Sequence, residues 1–421
     1  MYQHPERQRI VSEMHLRRWP ELHVPCLLVQ WVLCVNPNER DEEIALIDAR
    51  AGSNGNGTSL SHREGVLSDG IRFSWERHKE GSSLTLFARN ADPQAFINPA
   101  SAPDIAAAIA WAESLPGAIL RCTRIWVATD DDAALAILPA LDLSRTELVS
   151  STIGDHIRIW SDFRCQPDGY GRLLVAANGT DTHDLTRYVQ RLQELGNYRN
   201  RALLGLPVAQ EYWPQLDKAE DQLRILANRV ANNDEKDDAL MRDLSDLSLK
   251  LMAISTSISF RMDATSAYAR LVEARLSQLQ EHPIEGHSSL TDFTQRRFRP
   301  AIRTCATIQE RERHLSLRAS QLSSLLRARI ETRIENQNGQ LLRSMDQSIS
   351  MQLRLQQLVE GLSVVALSYY LIGLVGYFLK GPLHNLVTGD PYIILGWLVL
   401  PLMAAIWLVM HIVKRGVVGR H

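Results

Sequence analysis

Apolar and polar residues alternate in short runs over the first 180 positions, then give way to long stretches of helical period. The β-branched run Val24–Val35 and the runs Ile71–Trp75, Ser83–Ala88 and Ile119–Ala128 predict strands. Asp104–Ser114 has helical period, as does an amphipathic stretch from Pro5 to Arg17. Ile157 and Ile159 alternate within His156–Phe163, and the turn Gln-Pro-Asp-Gly-Tyr-Gly leads to Arg172–Ala177. That pair reads as a hairpin. The polar, glycine-rich stretch Ala51–Ser59 reads as a loop.

Beyond residue 180 the pattern is helical. Asp181 or Thr182 is placed to cap a helix reaching Leu206, and Pro207 to begin the next. A further helix is expected over Asp237–Gln280. No proline separates Pro300 from Pro382, so one helix can run on into an apolar segment. Its apolar positions include Leu315, Leu322, Leu326, Ile330, Ile334, Leu341, Met345 and Ile349. They recur more widely than a heptad and closer to an eleven-residue repeat, which predicts a nearly straight, coiled-coil-like stalk.

Two segments are long and apolar enough to cross about 30 Å of hydrocarbon, Gly361–Leu379 and Tyr392–Val413. The short link between them forces a helical hairpin. Lys414, Arg415 and Arg420 follow the second segment, whereas the link carries Lys380 as its one basic residue besides His384. The positive-inside rule then puts both termini in the cytosol. The expected build is a cytosolic α/β domain (1–180), a helical bundle and stalk (181–357), a transmembrane hairpin (358–413, spans about 361–379 and 392–413) and a basic cytosolic tail (414–421).

Composition agrees with a packed body on a small anchor. Hydrophobic residues make up 45% of the 421, which argues against general disorder. The net charge of −2 creates no global field for nucleic acid or acidic substrates. The first fifteen residues lack the apolar core of a signal peptide. Cys26, Cys34, Cys122, Cys165 and Cys305 are odd in number and scattered, which predicts free thiols in a reducing compartment.

Chemistry is sparse. Gly52, Gly55 and Gly57 lack the spacing of a dinucleotide fingerprint, and no GK[ST], GxSxG, HExxH or CxxC occurs. No enzyme and no cofactor are therefore expected. His4, Glu6, Glu13, His15 and His23 contain metal-ligand types, yet fit a salt-bridged polar helix. Trp75–His78 reads as a strand end with paired charges. Nine arginines between Gln295 and Ile330 face only Glu310 and Glu312. Without interleaved aromatics they predict pairing with Asp234–Asp243, neighbouring subunits or lipid headgroups rather than nucleic acid.

Several stretches carry a family resemblance. They are His4–Pro20 (HPERxxxxxEMHxRRWP), Ser74–His78 (SWERH), Asn197–Pro207 (NYRNRALLGLP), Ala267–Glu281, Arg296–Cys305 and Leu353–Gly381. Together the chain resembles family 3422 of the bacterial domains of unknown function. The resemblance implies an inner-membrane protein and supplies no activity. The build is also similar to that of CorA-type magnesium channels, whose first span ends in Gly-Met-Asn. Here Val375-Gly376-Tyr377-Phe378 stands in that place.

The expected function is a CorA-like homo-oligomeric cation pathway through the membrane lipid, with a divalent cation as transported ion. Glu360 stands at its entrance, Ser363, Ser368 and Tyr369 line it, and Lys380, His384 and Asp390 form the outer link. The alternative is a non-conducting membrane-anchored scaffold or binding module. No small-molecule substrate is identified from the sequence.

Overall fold

The computed structural model describes residues 3–4, 6–7, 10, 19–51, 61–144, 146–232, 236–380 and 391–418. The glycine loop, most of the N-terminal stretch with Glu13 and His15, and the link residues His384 and Asp390 lie outside them. Two compact units are present, Met1–Ser323 and Ser324–His421.

The first unit is built on a nine-stranded mixed sheet. Its strands are β1 (Cys26–Cys34), β2 (His62–Ser68), β3 (Ile71–His78), β4 (Gly81–Arg89), β5 (Ala118–Ala128), β6 (Val149–Ile153), β7 (Ile157–Ser161), β8 (Gly171–Ala176) and β9 (Glu281–Pro283). Their order is β2-β3-β4-β1-β5-β8-β7-β6-β9. Short helices intervene: α1 (Arg40–Asp48), α2 (Pro93–Ile97), α3 (Pro103–Glu113) and α4 (Asp131–Ile137). Long helices follow: α5 (Thr182–Leu203), α6 (Gly205–Asn232), α7 (Asp237–Gln278), α8 (Leu290–Lys380) and α9 (Pro391–Val418).

The sheet has two similar halves. Each begins with a strand and a helix, continues as a three-stranded meander, and returns the meander's last strand to the side of the first. The halves meet where β1 and β5 pair antiparallel. They differ in that β9 extends the second half alone, and in that β4 runs antiparallel to β1 whereas β8 runs parallel to β5. The parallel pair brings the N-terminal ends of β5 and β8 together on one side.

Strand periodicity divides the core between the two faces. On one face Trp160, Leu174, Trp126 and Leu27 stand in a cross-strand row, and Trp31, Leu84 and Trp75 in another. These residues pack with α1, α2 and α3 through Ile47, Phe96 and Ile109. Burial of each such large side chain contributes about 1.5–3 kcal/mol of transfer free energy. On the other face Leu28, Ile125, Val127, Leu173 and Val175 pack against Leu185, Val189 and Leu192 of α5 and Val272 of α7.

The predicted strands are all present, and the 157–176 hairpin is antiparallel. Strand β2, β6 and β9 carry weak alternation and were not expected. The helix from Asp181 ends at Leu203, short of the expected Leu206, because the chain turns at Leu204. Asp181 caps it, its side chain accepting from the His183 amide. Pro300 lies within α8, which begins ten residues earlier than expected. The carbonyl left without a donor there belongs to an exposed helix face, where water can replace the lost bond.

Helix α8 contains one segment long and apolar enough to cross a membrane. Helix α9 carries the shorter apolar run Gly396–Ile412 among its described residues.

Candidate functional site

Two arginines interrupt buried faces. On β5, Arg121 follows the period of Ile125 and Val127, and so points from the sheet toward α5. On α5, Arg199 follows Leu185, Val189, Leu192 and Gly196 at helical spacing. Both line a cavity of about 240 Å³ bounded by the N-terminal ends of β5 and β8, the 161–170 segment, α5 and Leu290. Arg164 and Arg172 line it as well.

The four guanidiniums are not equivalent. Arg164 is exposed and bonds Glu147 at 2.6 Å, and that bond raises its pKa. Arg172 reaches the Leu141 carbonyl at 2.9 Å and Asp168 at 3.5 Å. Asp168 is also held by Arg124 at 2.8 Å.

Arg121 and Arg199 have no carboxylate partner among the described residues. Arg121 donates to amide oxygens, Asn197 at 2.7 Å, Gln193 at 2.9 Å and Gln30 at 3.3 Å. Its guanidinium lies directly against Gly196, where an added Cβ would stand 2.9 Å from Cζ. Arg199 is only 9% exposed, and its guanidinium lies 4.9 Å and 5.1 Å from the rings of Phe163 and Phe293. Those rings pack on each other at 4.8 Å. Phe163 holds this place with a left-handed backbone, φ 50°, a strained conformation for a bulky residue.

Burial pushes Arg199 down to about 10. Burial, and then the like charge of Arg199, push Arg121 down to about 9. Both shifts express one fact: positive charge has been taken from water without an opposite charge to receive it. Gln193, fully buried, spends its oxygen on Arg121, and its amide nitrogen has no partner among the described residues. The cavity therefore offers donors and positive charge, which suits an oxyanion. The carboxylates around it are engaged by arginines, so the arrangement favours binding over proton transfer.

The residues singled out in the sequence lie elsewhere. Ser363 donates to the Val359 carbonyl at 2.8 Å and Ser368 to the Val364 carbonyl at 2.7 Å, both within α8. Ser368 is buried and Glu360 half-buried. Tyr369 is exposed and edge-on to Tyr370. At about 100° per residue, Tyr369 falls on the side of α8 opposite Glu360, so the four do not form one stripe. Lys380 ends the helix. His4 accepts from the Glu6 amide, and His23 is exposed. Trp75 donates to buried Glu43 at 2.9 Å, in keeping with a structural strand end. Within the arginine-rich segment, Arg311 bonds Asp217 and Glu220 of α6.

Residues 2–417 match the model of a family described as protein of unknown function (DUF3422). No curated protein matches the chain.

Proposed function

Since the chain belongs to the DUF3422 family, we propose from its own geometry that it is a membrane-anchored binding module for a small oxyanion. The observation that carries this reading is the pair of half-buried Arg121 and buried Arg199 at one cavity, with no carboxylate partner among the described residues. An uncompensated buried charge costs about 3–5 kcal/mol, a cost that an anionic ligand would offset. A cavity of about 240 Å³ has the volume of roughly eight waters and is smaller than a drug-sized pocket. It suits inorganic phosphate, sulfate or a small phosphate ester. The anchor is the apolar part of α8, with α9 as a second span and both termini cytosolic. The basic tail supports that orientation in a bacterial inner membrane.

Calorimetric titration of detergent-solubilised protein with inorganic phosphate and sulfate tests the reading. Saturable binding by the wild type and its loss in Arg199→Met is the expected result. Absence of binding by the wild type to either anion removes the proposal.

A second reading, a homo-oligomeric cation pathway of CorA type, draws on the continuity of α8 from the sheet-bearing unit into the apolar segment. It also draws on Leu341, Met345 and Ile349, which stand exposed in the single chain and suit contacts between copies. Cation flux in proteoliposomes, reduced by Glu360→Gln, is its expected signature. Vesicles no leakier than empty ones would leave only the binding module.

A further inference from the structure

Two thiols share the wall of the anion cavity. Cys122 is the β5 residue next to Arg121, and Cys165 lies beside Arg164, two residues after Phe163. Both sulfurs donate to one acceptor, the Gly169 carbonyl, Cys122 at 3.0 Å and Cys165 at 3.1 Å. A shared acceptor holds two sulfurs close together although 43 positions separate them in sequence. Cys165 is exposed and Cys122 half-buried, whereas Cys26 and Cys305 are buried. A cavity lining alone does not require this arrangement.

We propose that Cys122 and Cys165 form a reversible dithiol–disulfide site in the cavity wall, oxidised by hydroperoxides. Cys165, exposed, gives its proton to solvent, and its thiolate attacks the peroxide oxygen and breaks the O–O bond; the oxygen that leaves takes a proton from solvent, giving a sulfenic acid and water, or an alcohol from an organic peroxide. The Cys122 sulfur then attacks the Cys165 sulfur. The S–S bond forms, the S–O bond breaks, and the hydroxyl leaves with the Cys122 proton as a second water. Two electrons pass from the sulfurs to the O–O bond. A small thiol reverses the change by exchange. Burial and the neighbouring Cys165 push Cys122 up to about 11, which favours Cys165 as the first nucleophile.

A disulfide sets the sulfurs about 2.05 Å apart and ends both hydrogen bonds to Gly169. The 162–170 segment is then drawn toward β5, carrying Phe163 away from its place over Arg199. Oxidation is therefore expected to weaken oxyanion binding, a consequence that rests on the binding reading above.

Full-length protein in detergent is treated with hydrogen peroxide, free thiols are blocked, and digests are analysed by mass spectrometry. A dithiothreitol-sensitive peptide joining Cys122 to Cys165 is expected, absent from Cys165→Ser and from Cys122→Ala. Phosphate affinity should fall by about fivefold or more on oxidation of the wild type, and stay unchanged on oxidation of Cys165→Ser; fivefold is about 1 kcal/mol. Recovery of both cysteines without a cross-link overturns the site, and a cross-link that leaves phosphate affinity unchanged overturns its coupling to the anion. If reduced wild type binds no phosphate, the binding reading fails, while the cross-linked peptide still decides the disulfide.

Discussion

Arg199 shows what one residue reveals about a site. A guanidinium in the apolar stripe of α5, resting on Phe163 and Phe293, gains cation–π attraction but has no counter-charge among the described residues. Replacing a buried, unpaired charge by an apolar side chain of similar length is often stabilising. Arg199→Met should therefore raise the stability of ligand-free protein by about 1 kcal/mol while abolishing the response to phosphate. Denaturant unfolding of both proteins, with and without phosphate, checks this; a variant less stable than wild type would mean that Arg199 is structural. Arg121 carries a similar cost, since burial and then the like charge of Arg199 push its pKa down while the guanidinium keeps its proton. Neither arginine was singled out in the sequence, although each stands as a charge at an apolar period, Arg121 with Ile125 and Val127, Arg199 after Leu192. Their convergence was not legible there, because it depends on β8 pairing parallel to β5 and on α5 crossing above.

At the scale of elements, close approaches hold the helices that carry the site. Gly205 begins α6 where a Cβ would meet the Thr265 hydroxyl of α7 at 2.3 Å. That hydroxyl donates to the Ala202 carbonyl of α5 at 3.0 Å, so it ties three helices at one point. Gly205→Val should lower stability by about 1–3 kcal/mol through overpacking, measured as a shift in urea midpoint. An unchanged midpoint would show that the junction yields freely. The strands with strong alternation or β-branched runs, β1, β3, β4 and β5, were readable from the sequence. His62–Ser68 and Val149–Ile153 were not, because partial exposure in β2 and the serines of β6 blur the two-residue period. The long helices were readable because helical period persists over many turns, whereas their ends depended on caps and on the turn at Leu204.

In the whole molecule, a sheet-bearing unit proposed to bind an oxyanion is followed in the chain by an apolar helical segment long enough to cross a membrane. Removal of residues 358–421 should leave a soluble protein that binds phosphate as the full chain does, since the cavity draws only on residues 119–290. Aggregation of that fragment, judged by gel filtration, would tie the first unit to the membrane. The central claim is that an oxyanion sits between Arg121 and Arg199. Anomalous diffraction from crystals soaked in tungstate, a heavy oxyanion, tests it most directly. The expected result is a peak inside the cavity within hydrogen-bonding distance of both guanidiniums, absent from Arg199→Met crystals soaked alike. An empty cavity in the wild type, with tungstate bound only at exposed arginines, would contradict the account.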